Sequence, residues 1–409
     1  MSCPGISMTR LKARQLIIGS ATIGSLGTFA LHVIMPSLPA IRSHFGLTSA
    51  TTQLVVSLGL LAFAAGQLIV APLSDRFGRR PVVLTGLALF CGGSVLGLAS
   101  VDISMLIVGR VLQAIGSGAA MAVVRATIMD YFGAARFASA IAWSATAIVL
   151  VPLIAPTAGG FVVEWQGWRM VFVLCLLMGI AVFVYAWRGV RETHPTDTTL
   201  ADSGAGRTSP FASYRELIAA PDYVFCVLYG SFMVASVYTF ITGAPYFAID
   251  GLGLSPSQYG RYFIVPAVAT FFGFLFAARL THRYGTVRMI TAGLTLACAS
   301  GACMLGLLAL GIVHPLALFM PMALANFGNA LSAPSAVGSA VAARPRIAGA
   351  ASGLMGFTQL VLAAAATQIV ASFPHQTAWP LACTVVACNV LALVCFLKVR
   401  AALSAASAT

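Results

Sequence analysis

From residue 16 to residue 398 the chain alternates apolar runs of about twenty residues with short stretches of polar, glycine and proline positions. A run of that length, wound at about 1.5 Å per residue, crosses a hydrocarbon core of about 30 Å. Twelve such runs fit, at 16–38, 52–74, 82–100, 104–127, 137–161, 168–187, 222–248, 257–280, 287–311, 316–341, 347–373 and 378–398. The series continues to the C-terminal end, so the first run is expected to be a retained span rather than a cleaved leader. One long polar stretch, 188–217, carries Thr-Asp-Thr-Thr and Ser-Gly-Ala-Gly and too little apolar content to pack. It is expected to be a linker between an N-terminal six-helix bundle, 1–187, and a C-terminal six-helix bundle, 218–409.

Composition supports this reading. Hydrophobic residues make up 59% of the chain and charged residues 8%, against about 25% charged in soluble domains. The net charge of +13 would suggest nucleic acid in a soluble protein, but its distribution obeys the positive-inside rule. With both termini in the cytoplasm, only Arg42, Arg169 and Arg261 fall on the outer side and only Arg110 and Arg125 within a span, which leaves 18 of the 23 basic residues in cytoplasmic segments. The expected location is a cytoplasmic (inner) membrane, with no nucleic-acid partner. The nine cysteines form no C-x-x-C pair and, Cys3 aside, lie in apolar spans, so neither a disulfide nor a metal site is expected. No phosphate-binding loop, metal cluster or nucleophile constellation is present, which argues against an enzyme and against any cofactor.

The two halves echo each other. Ala71-Pro-Leu-Ser-Asp-Arg-Phe-Gly follows the second span, and Ala278-Arg-Leu-Thr-His-Arg-Tyr-Gly follows the eighth. Two related halves with a site between them at the midplane are a transporter plan. In the first loop, Gly78 is expected in a tight turn that sets Asp75 at a helix end beside Arg76, Arg79 and Arg80, a charge cluster suited to locking one conformation and releasing another. Topological charge alone is the simpler alternative. Arg110, in the fourth span, is costly in hydrocarbon, at roughly 2.5 to 3.5 kcal/mol, so it should face protein or water. It is read as a coupling or substrate-contact residue with Gln113 beside it, or as a hydrogen-bond anchor.

These motifs resemble the major facilitator superfamily, and more narrowly its drug:proton antiporters of the bicyclomycin and chloramphenicol efflux branch. Leu73-Ser-Asp-Arg-Phe-Gly-Arg-Arg80 is similar to the superfamily's loop signature, and Arg110-Val-Leu-Gln-Ala-Ile-Gly-Ser-Gly118 to its R-x-x-Q-G-x-G motif, with Ala114 in place of a glycine. Arg125-Ala-Thr-Ile-Met-Asp130 resembles a drug-efflux segment, and the likeness implies that Arg125 and Asp130 join the gating cluster of Asp75 and Arg79. Pro152-Leu-Ile-Ala-Pro-Thr-Ala-Gly-Gly160 is similar to the antiporter signature G-P-x-x-G-G, with Ala155 for a glycine. There Pro152 and Pro156 are expected to kink the helix, and Gly159 and Gly160 to let it pack closely. Gly167-Trp-Arg-Met-Val-Phe172 resembles an interfacial anchor. Phe240-Ile-Thr-Gly-Ala-Pro-Tyr246, Leu254-Ser-Pro-Ser-Gln-Tyr-Gly260 and Gly349-Ala-Ala-Ser-Gly-Leu-Met-Gly356 look like segments of the same branch. Tyr238, Phe240, Tyr246 and Gln359 are candidates to line a substrate cavity, with a core or lipid-facing role as the alternative for each.

The resemblance implies an all-α membrane protein of twelve transmembrane helices in two six-helix bundles, exporting a small amphipathic drug-like or metabolite compound by alternating access, driven by protons, as a monomer. One departure matters. Efflux relatives carry D-x-x-L-P in the first span, whereas this chain reads His32-Val-Ile-Met-Pro36. The ten acidic residues all fall in loops or at helix ends, and guanidinium does not deprotonate, so His32 is the candidate proton carrier, placed at a depth where it could meet Arg110, with a histidine hydrogen-bonded to a neighbouring helix as the equal alternative. A basic interior favours neutral or anionic substrates. A proton-coupled uptake symporter, or a non-transporting membrane sensor or scaffold, are the competing readings.

Overall fold

The computed structural model describes residues 10–189, 210–344, 347–373 and 377–406, and among them there is no strand. Thirteen helices follow in order: α1 Arg10–Val33, α2 Leu38–Phe45, α3 Ser49–Phe77, α4 Arg79–Leu98, α5 Ile103–Gln166, α6 Met170–Gly189, α7 Pro210–Ile218, α8 Pro221–Pro245, α9 Pro256–Tyr284, α10 Thr286–Ala309, α11 Pro315–Ala342, α12 Ala348–Ala371 and α13 Trp379–Ala406. Eleven stretches of the described residues are long and apolar enough to cross a membrane.

The expected fourth and fifth spans both fall inside α5. A straight helix of its 64 residues would reach about 96 Å. Its two ends nevertheless meet: the Ser100 carbonyl, just before α5, accepts a hydrogen bond from Arg169 Nη2, just after it, at 3.0 Å. The path therefore doubles back and contributes two crossings, which completes the twelve-helix architecture. The side chains of residues 129–150, between the two crossings, lie outside the described residues. The expected linker also differs at its end. Residues 210–218 form α7, because Tyr214 and Leu217 share a helical face and pack into the cluster around Tyr223 and Phe396. The linker's residues 190–209 lie outside the described set.

Glycines make the internal repeat visible. Gly78 joins α3 to α4 at φ 91° and ψ 156°, and Gly285 joins α9 to α10 at φ 80° and ψ 158°, a region that side-chain-bearing residues avoid. The same sequence spacing that separates these two separates Gly66 from Gly273 and Gly86 from Gly293. A Cβ on Gly66 would stand 2.7 Å from the Ile115 carbonyl oxygen, and one on Gly273 would stand 2.6 Å from that of Phe327. Gly86 abuts Gly116, and Gly293 abuts Gly328. Without a hydrophobic drive between helices in lipid, such small-residue contacts are what lets backbones approach.

The two halves meet at one end of the molecule, the end opposite Gly78 and Gly285. There α5 packs on α9 and α3 packs on α12.

Candidate functional site

Arg110 projects from the first part of α5 into the interior of the first half and is 2% exposed. Its Nη1 donates to the Ala30 carbonyl of α1 at 3.3 Å and to Gln113 Oε1, one turn along. Gln113 Nε2 donates to Ser94 Oγ at 2.8 Å, and Ser94 donates to the Phe90 carbonyl, also at 2.8 Å. A polar chain thus runs from α1 through α5 to α4. Nε of Arg110 is buried without a partner, and no carboxylate among the described residues pairs with the guanidinium. Gln113, expected to accompany Arg110, is its direct acceptor. Ser94, the next link, carried no sequence signal.

His32 is 3% exposed, near the end of α1. Its Nδ1 lies 2.7 Å from the Thr28 carbonyl, so that nitrogen is assigned as the donor and Nε2 as the atom able to take a proton. The ring lies 5.9 Å, centroid to centroid, from Tyr238 of α8, in the other half. His32 and Arg110, which depth alone would allow to meet, bond to separate partners. Arg110 reaches α1 at Ala30, and two residues on, a helix has turned by about 200°, so His32 points away from it. The arginine serves the interior of one half, and the histidine lies where the halves meet.

The cavity candidates separate. Tyr238 is the half-buried partner of His32. Gln359 is half-buried and comes close to Gly230 of α8. Phe240 instead belongs to an aromatic cluster, stacked on Phe263 and edge-on to Phe319, which is a packing position within the second half. Tyr246 begins a π-helical turn, Tyr246–Gly251, and the Arg42 guanidinium lies 6.0 Å from its ring.

At the arginine-rich end, Arg79 donates to Ser74 Oγ at 2.6 Å and Arg80 to the Trp187 carbonyl at 3.0 Å. Asp75, Arg76, Arg125, Asp130 and Pro152 have side chains outside the described residues. Pro156 is buried in α5, and the two glycines after it lie at a junction. Gly159 touches the Val33 carbonyl of α1, and Gly160 touches the Pro256 carbonyl of α9, so closely that neither site has room for a Cβ. Trp168 packs on Phe45 and Phe172, with Arg169 over its ring at 4.4 Å, and Phe172 lies against Gly97, which ties the start of α6 to α2 and α4.

Sequence reasoning missed the polar contacts that close the junction. Arg42 pairs with Asp250 at 3.1 Å. Glu164 Oε2 accepts from the Ser257 amide at 3.0 Å. Thr157 donates to the Gly260 carbonyl at 2.9 Å. Gln368 Oε1 accepts from Ser57 at 3.0 Å, while its Nε2 donates to the Ala50 carbonyl at 2.9 Å. The one available signal was the run Ser255-Pro-Ser-Gln258, whose serine and glutamine form a capping box at the start of α9.

Comparison with known proteins agrees with this architecture. The model of the Major Facilitator Superfamily matches residues 19–367. The chain is 25% identical over 400 residues to the "Multidrug resistance protein D" of Escherichia coli K12, covering 97% of this chain and 98% of that one. It is 28% identical to a "Chloramphenicol resistance protein" of Pseudomonas aeruginosa, covering 92% and 88%. Among solved structures, a bacterial homolog of the human lysosomal transporter Spinster superposes with a TM-score of 0.73 at 18% identity, covering 97% of this chain and 98% of that one.

Proposed function

Starting from the fact that the chain belongs to the Major Facilitator Superfamily, we propose that it exports a small amphipathic compound in exchange for protons, by alternating access of two six-helix halves. The relatives named for multidrug and chloramphenicol resistance support export. Positive-inside topology puts both termini and the arginine-rich end in the cytoplasm. The closed junction of Arg42, Asp250, Glu164 and Gln368 is then the outer end, and the conformation opens inward.

The observation that carries the reading is His32. It is buried at the meeting of α1 and α8, its Nε2 is unengaged, and the described carboxylates Asp102, Glu164, Glu216, Asp222 and Asp250 all stand at or near helix ends. A titratable group that faces the other half can make protonation and conformation depend on one another. Arg110, always charged and unpaired by any described acid, gives the first half a positive interior that disfavours organic cations and suits neutral or anionic substrates. Tyr238 and Gln359 complete the candidate cavity. Asp75, Arg76, Arg79, Arg80, Arg125 and Asp130 would gate the inner end.

The test is transport by the purified protein in proteoliposomes with an imposed pH gradient. Gradient-driven efflux of a neutral or anionic compound, lost in His32→Ala, is the expected outcome. Robust neutral-pH efflux of a permanently cationic dye would overturn the substrate reading. Gradient-driven flux unchanged in His32→Ala would remove His32 from the mechanism.

A further inference from the structure

The closed end is fastened by two side chains that grip corresponding places in the two halves. α3 begins after Thr48 and α9 after Ser255. Both N-caps have extended backbones, at φ −75° and ψ 157° and at φ −70° and ψ 157°, and both hydroxyls accept from the amide three residues on. The spacing between Thr48 and Ser255 is that between Gly78 and Gly285, so Ala50 and Ser257 are equivalent positions in the repeat.

Each of these equivalent residues is gripped from the opposite half. Ser257 N–H donates to Glu164 near the end of α5, and the Ala50 carbonyl accepts from Gln368 near the end of α12. The capping box explains why α9 needs this grip. Pro256 has no amide hydrogen, Ser255 takes the amide of Gln258, and Gln258 takes that of Ser255. Ser257 is left as the first-turn donor, and the carboxylate of the other half fills it, at the end of a helix dipole that favours negative charge. Gln368 has no charge but uses both ends of its amide, one on Ala50 and one on Ser57. Gly160 against Pro256 and Gly260 against Thr157 hold α5 and α9 close enough for Glu164 to reach.

We propose that Glu164 and Gln368 are paired clasps, one on each seam, that together set the balance between the closed and open states of this end and release in a single motion. The Ser257 hydroxyl and amide, with the Ser255 hydroxyl, hold the Glu164 carboxyl below the usual carboxylate range, as engagement of the charged form requires. The inference rests on the alternating-access reading.

The experiment places spin labels at exposed Val101 and Val313, in the connections before α5 and before α11 of opposite halves at this end, by incorporating a spin-labelled amino acid that leaves the native cysteines in place. Electron–electron distance distributions are then recorded for the full chain in nanodiscs. Glu164→Gln and Gln368→Ala are each expected to raise the open-to-closed ratio by roughly two- to fivefold. The double variant should give about the product of the two, because both clasps act on one equilibrium. Glu164→Ala should exceed Glu164→Gln, since Gln retains an acceptor. Single variants that leave the ratio unchanged would overturn the clasps. A double variant no more open than the stronger single one would overturn their joint release. One distance population in every variant and at every substrate concentration would overturn the alternating-access reading itself.

Discussion

The two halves of the molecule share a scaffold and differ in what they enclose. Gly66 and Gly86 recur as Gly273 and Gly293, each pressed against backbone of a neighbouring helix, and Gly78 recurs as Gly285 with nearly the same backbone angles, so the helix packing is common to both. The interiors are not. The first half encloses Arg110, Gln113 and Ser94, a charged chain in which each link has a hydrogen-bond partner. The second encloses neutral amides and hydroxyls, among them Asn329, whose side-chain nitrogen and oxygen are both buried without one, and an aromatic cluster around Phe319. Geometry alone was duplicated, and chemistry diverged within it. The sharpest way to break the shared part is to fill its glycines. Gly116→Leu and Gly328→Leu would each press a side chain into facing backbone, an overpacking cost of about 3 kcal/mol or more. Both should abolish folded yield in detergent, measured by size-exclusion profile. A well-folded Gly328→Leu would mean that the second half does not depend on the contact it shares with the first.

The interiors predict opposite bargains between stability and activity. Arg110 is a buried cation with no counter-ion among the described residues, so Arg110→Leu removes a desolvated charge and leaves the Gln113 and Ala30 acceptors unmet. Transport should fall on the order of 10- to 100-fold, while the melting temperature holds or rises. A merely structural anchor would lose both together. Asn329→Leu removes unpartnered polar atoms at similar volume, and stability should stay level or rise by about 1 kcal/mol in thermal unfolding. His32→Ala stands between them. It should leave both halves folded, because the imidazole bonds only within its own helix turn, yet uncouple flux from the pH gradient in proteoliposomes.

The scaffold was far more legible in the sequence than the site. Twelve apolar runs and the repeated loop around Gly78 and Gly285 specify the fold because lipid requires every span to be a long helix, and length and polarity are local properties. Only the reversal inside α5 and the short helix α7 escaped. Arg110 and His32 stood out for a related reason: a polar group in an apolar run is visible without knowing its neighbours. Their relation was not visible. Similar depth suggested a meeting, but rotation about the helix axis decides it, and Ala30 rather than His32 faces the guanidinium. Phe240 reads as a cavity aromatic until its stacking on Phe263 is seen. Glu164 and Gln368 were hidden most completely, since each is an ordinary polar residue near a helix end whose role depends on a partner in the other half.

Those two clasps give the comparison of the halves its finest and smallest test, because one titrates and the other does not. The carboxyl of Glu164 is held below its ordinary range while Ser257 and Ser255 bond to it, and it regains that range when the end opens to water. Its contribution to closure is therefore complete above the ordinary glutamate value of about 4.3 and is lost as pH falls through the depressed closed-state value. Arg42 and Asp250 form an ion pair at this end beside Tyr246, and Arg261 lies near Glu164, so acid acts on more than one group. Comparison with Glu164→Gln at each pH removes those shared effects. Gln368→Ala should open the Val101 to Val313 distance by the same factor at pH 7 and at pH values below the carboxylate range. The roughly two- to fivefold effect of Glu164→Gln at pH 7 should shrink toward none in acid. An acid-insensitive difference between Glu164→Gln and the unaltered chain would mean that the contact with Ser257 does not depend on charge, and that the two seams are alike in chemistry as well as in place.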